Sequence, residues 1–169
     1  MPKFISFYVN IVDAICEKVG RFVMYWVFFM MFLLILSFVT RNIINIPLMW
    51  IIEMAQFTIT AYYLLGGGYS MLTDDHVRMD LFYGKLSKRG KAKMDIFTSI
   101  FLIFFLSVLF FGSITSLIYT IETKQKLFTA WAPYVWPIKS LMLLGILLML
   151  LQAFSTLFKD IDNLKNKKI

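Results

Sequence analysis

One cysteine and one histidine in 169 residues close off a good deal of chemistry. Cys16 alone excludes an intrachain disulfide and any multi-cysteine metal site. Haem held between helices needs a pair of histidines or methionines, and the sole histidine, His76, falls in a polar loop. No Walker loop, nucleophile elbow or other catalytic pattern is present, so neither catalytic nor cofactor-binding residues are expected. The apolar stretches lack the series of acids that proton relays use, and inverted repeats with broken helices, the mark of a complete secondary transporter, are missing too. Residues 1–21 have no small-residue cleavage site after a short apolar core, so the first apolar stretch is expected to stay as an uncleaved anchor.

What is present is apolar length. Hydrophobic residues make up 60% of the chain and aromatics 18%, more than a soluble domain of this size can hide and just what lipid accepts. Four stretches, at about 22–40, 49–72, 96–121 and 135–158, match the ~20 residues that a spanning helix needs. The expectation is an all-α membrane protein: a single four-helix domain over 1–169, with a basic loop at 73–94.

The net charge of +7 reads as topology rather than nucleic-acid binding, because the cations are unevenly placed. Thirteen of the 17 Lys and Arg lie before the first span, between the second and third, or after the fourth. The other side holds only Arg41, Lys124, Lys126 and Lys139. The positive-inside rule then puts both termini and the middle loop in the cytoplasm. The cluster from Lys85 to Lys93 is suited to anionic lipid headgroups.

Ahead of the first span, Phe4, Phe7, Tyr8, Ile11, Val12, Ile15 and Val19 recur at steps of three and four between charged residues. This predicts an amphipathic interfacial helix over 3–20, either resting on lipid or gripping a partner. On the second span Glu53, Gln56, Thr60, Tyr63 and Gly67 share one face, and Gly66, Gly67 and Gly68 allow a second backbone to approach. Gly112 and Ser116 form a further small-residue pair on the third. Asp74, Asp75, His76 and Asp80 read as a hydrogen-bonded turn of mixed charge rather than a metal site.

Glu53 and Lys139 are the ionisable groups that fall inside spans. An isolated charge at mid-bilayer costs roughly 2.5–3.5 kcal/mol on insertion scales. A pair between them, or with a partner protein, is therefore expected, with Arg41 as a third member of the cluster.

The ordered set Trp50-x-x-Glu53, Leu65-Gly66-Gly67-Gly68-Tyr69 and His76-Val77-Arg78-Met79-Asp80 resembles the small membrane subunit of tripartite ATP-independent periplasmic (TRAP) transporters, the DctQ-like family. The segment Trp136-Pro137-Ile138-Lys139 is similar to one subgroup labelled for mannitol or chloroaromatic compounds. The resemblance implies a chain in the bacterial inner membrane that braces the scaffold of a large multi-span subunit. That subunit would import an organic acid with sodium, delivered by a periplasmic binding protein. Trp50, Glu53, Gly66, His76, Arg78 and Asp80 match recurrent family positions, and the resemblance gives them structural and subunit-contact roles. The segments from Asn42 to Met49 and from Lys124 to Tyr134 are candidate contacts with the binding protein. The competing reading is a small proton-coupled multidrug exporter working as a dimer. Such exporters carry their acid deep in the first helix between very short loops, unlike Glu53 and the long basic loop here.

Overall fold

The computed structural model describes residues 3–46, 48–73 and 88–166. They form five helices: α1 (Lys3–Met24), α2 (Trp26–Asn42), α3 (Met49–Leu72), α4 (Lys88–Glu122) and α5 (Trp136–Asn166). No strand occurs among the described residues. The expected basic loop is partly helical, because α4 begins at Lys88 and takes the lysine-rich segment into its first turns. Lysine and arginine are good helix formers, and a helix does not have to stop where hydrocarbon does.

Among the described residues three segments are long and apolar enough to cross a membrane: Ile5–Asn42, Met94–Glu122 and Trp136–Asp162. The first contains the junction of α1 and α2, where Tyr25 N donates to Phe22 O (3.2 Å) and Phe28 N to Tyr25 O (3.1 Å). Such i to i−3 bonds tighten the backbone locally and mark the break between the two helices. The helix α3 has the length, 24 residues, but Glu53, Gln56, its tyrosines and its glycines dilute its apolar character. Its surroundings explain how it tolerates them, since α2, α5 and α1 all pack against it.

Spatially the helices follow the order α4, α5, α3, α2, with α1 laid across α3 and α5. The contacts of α3 with α5 advance together along both chains, Leu64 beside Gly145 and then Gly68 beside Leu148, so these two helices are parallel. The segment joining α2 to α3 and the loop joining α4 to α5 therefore lie at the same end. Ile51, Thr58, Ala61, Gly68 and Met71 form the buried stripe of α3. The expected polar stripe does not coincide with it: Glu53 is buried, but Gln56 and Tyr63 are exposed. Gly112 is exposed as well, and a methyl group there would meet nothing within 4 Å, so this glycine makes no close helix contact among the described residues.

Among the described glycines, the one that meets another helix's backbone within 3 Å is Gly145, where a methyl group would stand 2.8 Å from the carbonyl carbon and oxygen of Leu64. Only a residue without a side chain lets α3 and α5 approach so nearly.

The helix α1 docks on the bundle with a face rotated from the one its hydrophobic pattern suggests. Val9, Val12, Cys16, Gly20 and Val23 are buried, whereas Phe7, Ile11 and Ile15 point outward. Small residues turn inward because the partner surface is close: a methyl at Gly20 would overlap the Tyr69 ring. The anchor is polar. Asp13 accepts hydrogen bonds from Lys159 Nζ (2.6 Å), Ser155 Oγ (3.0 Å) and Gln152 Nε2 (3.1 Å). Tyr8 OH donates to Leu151 O (3.2 Å), and its ring meets Phe158 edge-on with centroids 6.2 Å apart.

Two substitutions test this packing by thermal unfolding of the detergent-solubilised chain. Asp13→Ala strands buried donors on α5 and is expected to cost about 1–3 kcal/mol. Gly145→Ala forces α3 and α5 apart, with an expected cost of about 1–3 kcal/mol. An unchanged midpoint for both would contradict the packing described.

Candidate functional site

The residues singled out by sequence are spread over the layer. Trp50 and Glu53 lie in the first turns of α3, Arg41 in the last turn of α2, Lys139 in the first turn of α5, and Gly66 in the later half of α3. His76, Arg78 and Asp80 lie outside the described residues, as does Pro47. Trp50 and Arg41 are exposed. A cation at the C-terminal end of a helix is favoured by the helix dipole, and Arg41 gains that with no carboxylate beside it among the described residues.

Glu53 and Lys139 do not pair. Lys139 Nζ donates to Thr120 Oγ1 at 2.5 Å, joining the start of α5 to the end of α4. The spatial order accounts for this: α5 lies between α4 and α3, and the lysine takes the α4 side. Thr120, 1% exposed, is the centre of a small network. Its hydroxyl has one proton, and Ser116 O (2.7 Å) and Gln125 Oε1 (3.2 Å) are the two acceptors within reach. The shorter bond goes to Ser116, leaving the oxygen's lone pairs to Lys139. No acid is needed to hold the ammonium group, which sequence reasoning did not anticipate.

Glu53 is the counterpart without a solution. It is 6% exposed, and its Oε2 has no hydrogen-bond partner among the described residues. A buried carboxylate oxygen left unpaired is costly, and native folds seldom keep one without a reason. Gln152 Oε1 is also buried and unpartnered, but that amide uses its other end on Asp13.

Between α1 and α3 a groove of ≈ 530 Å³ is lined by residues including Gly20, Met24, Tyr62, Gly66 and Ser70. Gly66 contributes openness here rather than close packing, since a methyl at that position would touch nothing within 4 Å. No group of three or more His, Cys, Asp or Glu able to hold a metal ion occurs among the described residues.

The set that sequence reasoning missed is Asp13 with Gln152, Ser155 and Lys159. Its signal was available, because the three α5 residues recur at steps of three and four on one helical face inside an otherwise apolar run.

The loop from α4 to α5 folds back on itself. Leu127 N donates to Pro133 O (3.0 Å) and Val135 N to Gln125 O (3.1 Å), while Lys126 and Tyr134 form a bridge. Lys124 and Ala132 take left-handed φ angles of 47° and 46° to make the turns. Lys126 Nζ sits 4.7 Å from the Tyr134 ring centroid, a cation–π geometry.

A double-mutant cycle separates the two pairings. Glu53 and Lys139 are expected to couple by less than ~0.5 kcal/mol, as distant sites do, whereas Lys139 and Thr120 couple more strongly. Thermal midpoints of the single variants Glu53→Gln, Lys139→Met and Thr120→Val and of the two doubles provide the numbers. Rescue of Glu53→Lys by Lys139→Glu would contradict the assignment.

No curated protein matches the chain. A family model does: residues 30–163 match "Tripartite ATP-independent periplasmic transporters, DctQ component". The match takes in α3, α4 and most of α2 and α5, with Glu53, Thr120 and Lys139 inside it and Asp13 outside. These are inner-membrane components, in keeping with three helices apolar enough to cross. With most of its length accounted for by that model, the chain belongs to the DctQ family and is a TRAP transporter small membrane subunit.

Proposed function

We propose that this chain braces the fixed scaffold of a large multi-span subunit, which imports an organic acid with sodium after a periplasmic binding protein delivers it. In this reading α3 crosses the membrane as a fourth span, and both termini and the loop between α3 and α4 lie in the cytoplasm. The cation distribution supports that orientation.

The observation that carries the proposal is the open layer. The edge helices α2 and α4 present rows of exposed phenylalanines, Phe28, Phe32 and Phe38 on one and Phe97, Phe104 and Phe111 on the other. Among the described residues these two helices do not close on each other. Such a layer has surface for a membrane partner and, in its polar nodes, fixed links between helices rather than a path for a solute. Trp50, Glu53 and Lys139 then serve structure and subunit contact. His76, Arg78 and Asp80 keep the role that the resemblance implies. The dimeric exporter has no observation in its favour, since Glu53 is packed within the chain's own fold.

Uptake by the reconstituted complex tests the proposal. Under a sodium gradient, Glu53→Gln and Lys139→Met are expected to change the uptake rate while leaving the order of preference among organic acids intact. A variant of this chain that reorders substrate preference would overturn the bracing role, and uptake indifferent to sodium would overturn the coupling.

A further inference from the structure

The loop between α4 and α5 carries more aromatic surface than a connection needs. Phe128 at its tip is fully exposed, and Trp131, Tyr134 and Trp136 are each about half exposed. A connection between two helices in water is ordinarily polar, and a fully exposed phenylalanine at the tip of an ordered turn has a cost that only a partner or an apolar phase removes.

The backbone explains how the tip is presented. Pairing of Gln125 and Leu127 with Val135 and Pro133 makes a stem, and the left-handed residues Lys124 and Ala132 set its turns. The stem grows directly from Glu122 and Trp136, the ends of two helices apolar enough to cross a membrane. Phe128 is six residues beyond Glu122, so at ~3.3 Å per residue it stands within roughly 20 Å of the helix end. The tip therefore stays near the membrane surface whichever way the stem leans.

We infer that this hairpin is an interfacial finger that inserts Phe128 and Trp131 among phospholipid headgroups at the membrane face where α4 ends and α5 begins. Its chemistry matches that phase on both counts. Phenylalanine and tryptophan supply apolar bodies, with the indole N–H free to bond ester carbonyls, the arrangement that concentrates aromatics at bilayer interfaces. Lys124 and Lys126 supply cations for phosphates, and beyond Glu122 at the base of the stem no Asp or Glu occurs up to Lys159, so the hairpin itself carries positive charge alone. Lys126 is already held beside the Tyr134 ring, so its charge is positioned with little further ordering. The finger fixes the height of α4 and α5 in the bilayer, and Thr120–Lys139 locks the same two helices together just beneath it.

Photo-crosslinking in the intact membrane, with every natural partner present, tests the inference. Benzoylphenylalanine is incorporated in place of Phe128, and at Phe38 on the exposed face of α2, which meets lipid or the large subunit, as a check that the photochemistry works. On irradiation the Phe128 site is expected to yield the chain with the added mass of one phospholipid as its main adduct. A predominant adduct with another protein would overturn the inference and make the hairpin a protein-docking surface. Absence of an adduct at Phe128 while Phe38 gives one would overturn it too, placing the tip in water.

Discussion

A polar group carried into hydrocarbon has no water to satisfy it, so it must find its partner inside the protein. That constraint organises this chain. At one level of the layer Asp13 collects three donors from α5 and fixes α1 across the helices. At the opposite end of α5 Lys139 spends its charge on Thr120 and fixes α4. Between them α3 and α5 close to backbone distance at Gly145, so the fold is held by two polar clasps and one steric seam. The polar clasps supply direction and the seam supplies proximity, which apolar side chains surrounded by equally apolar lipid cannot do.

With those demands met along α5, the edges of the layer are left apolar and uncovered. A soluble protein could not keep such surfaces, but a membrane subunit with a membrane partner can. Family membership gives that arrangement a context: a small component of a TRAP system sits beside a larger one. Glu53 is the exception, a buried carboxylate whose Oε2 has no hydrogen-bond partner among the described residues.

Much of the fold was legible because membrane crossing depends on apolar length, which sequence displays directly. The stretches at 96–121 and 135–158 correspond to Met94–Glu122 and Trp136–Asp162, both apolar enough to cross, whereas α3 matches the stretch at 49–72 in length but not in apolar character. The site was less legible. Two charges inside spans suggest a Glu53–Lys139 pair, but a place within a span does not say which neighbour a lysine faces, and α5 turns Lys139 toward α4. Of the three α3 glycines expected to admit a second helix, Gly67 and Gly68 do lie against Met149 and Leu148 of α5, whereas Gly66 borders an open groove and the contact with backbone falls on Gly145 in a leucine-rich run. In α1 the hydrophobic pattern identified a helix but not its docking face, because large apolar residues face outward and Val12, Cys16 and Gly20 face in. Each of these errors has one cause: sequence periodicity fixes the faces of a helix, whereas the choice among faces is made by neighbours far along the chain.

The most direct test of the account is a detergent pull-down of the tagged chain, expressed with and without its genomic neighbours. A brace for a larger membrane subunit predicts a stable one-to-one complex with a large multi-span protein when the neighbours are present. A homodimer that forms without them and alone confers resistance to cationic dyes would contradict it.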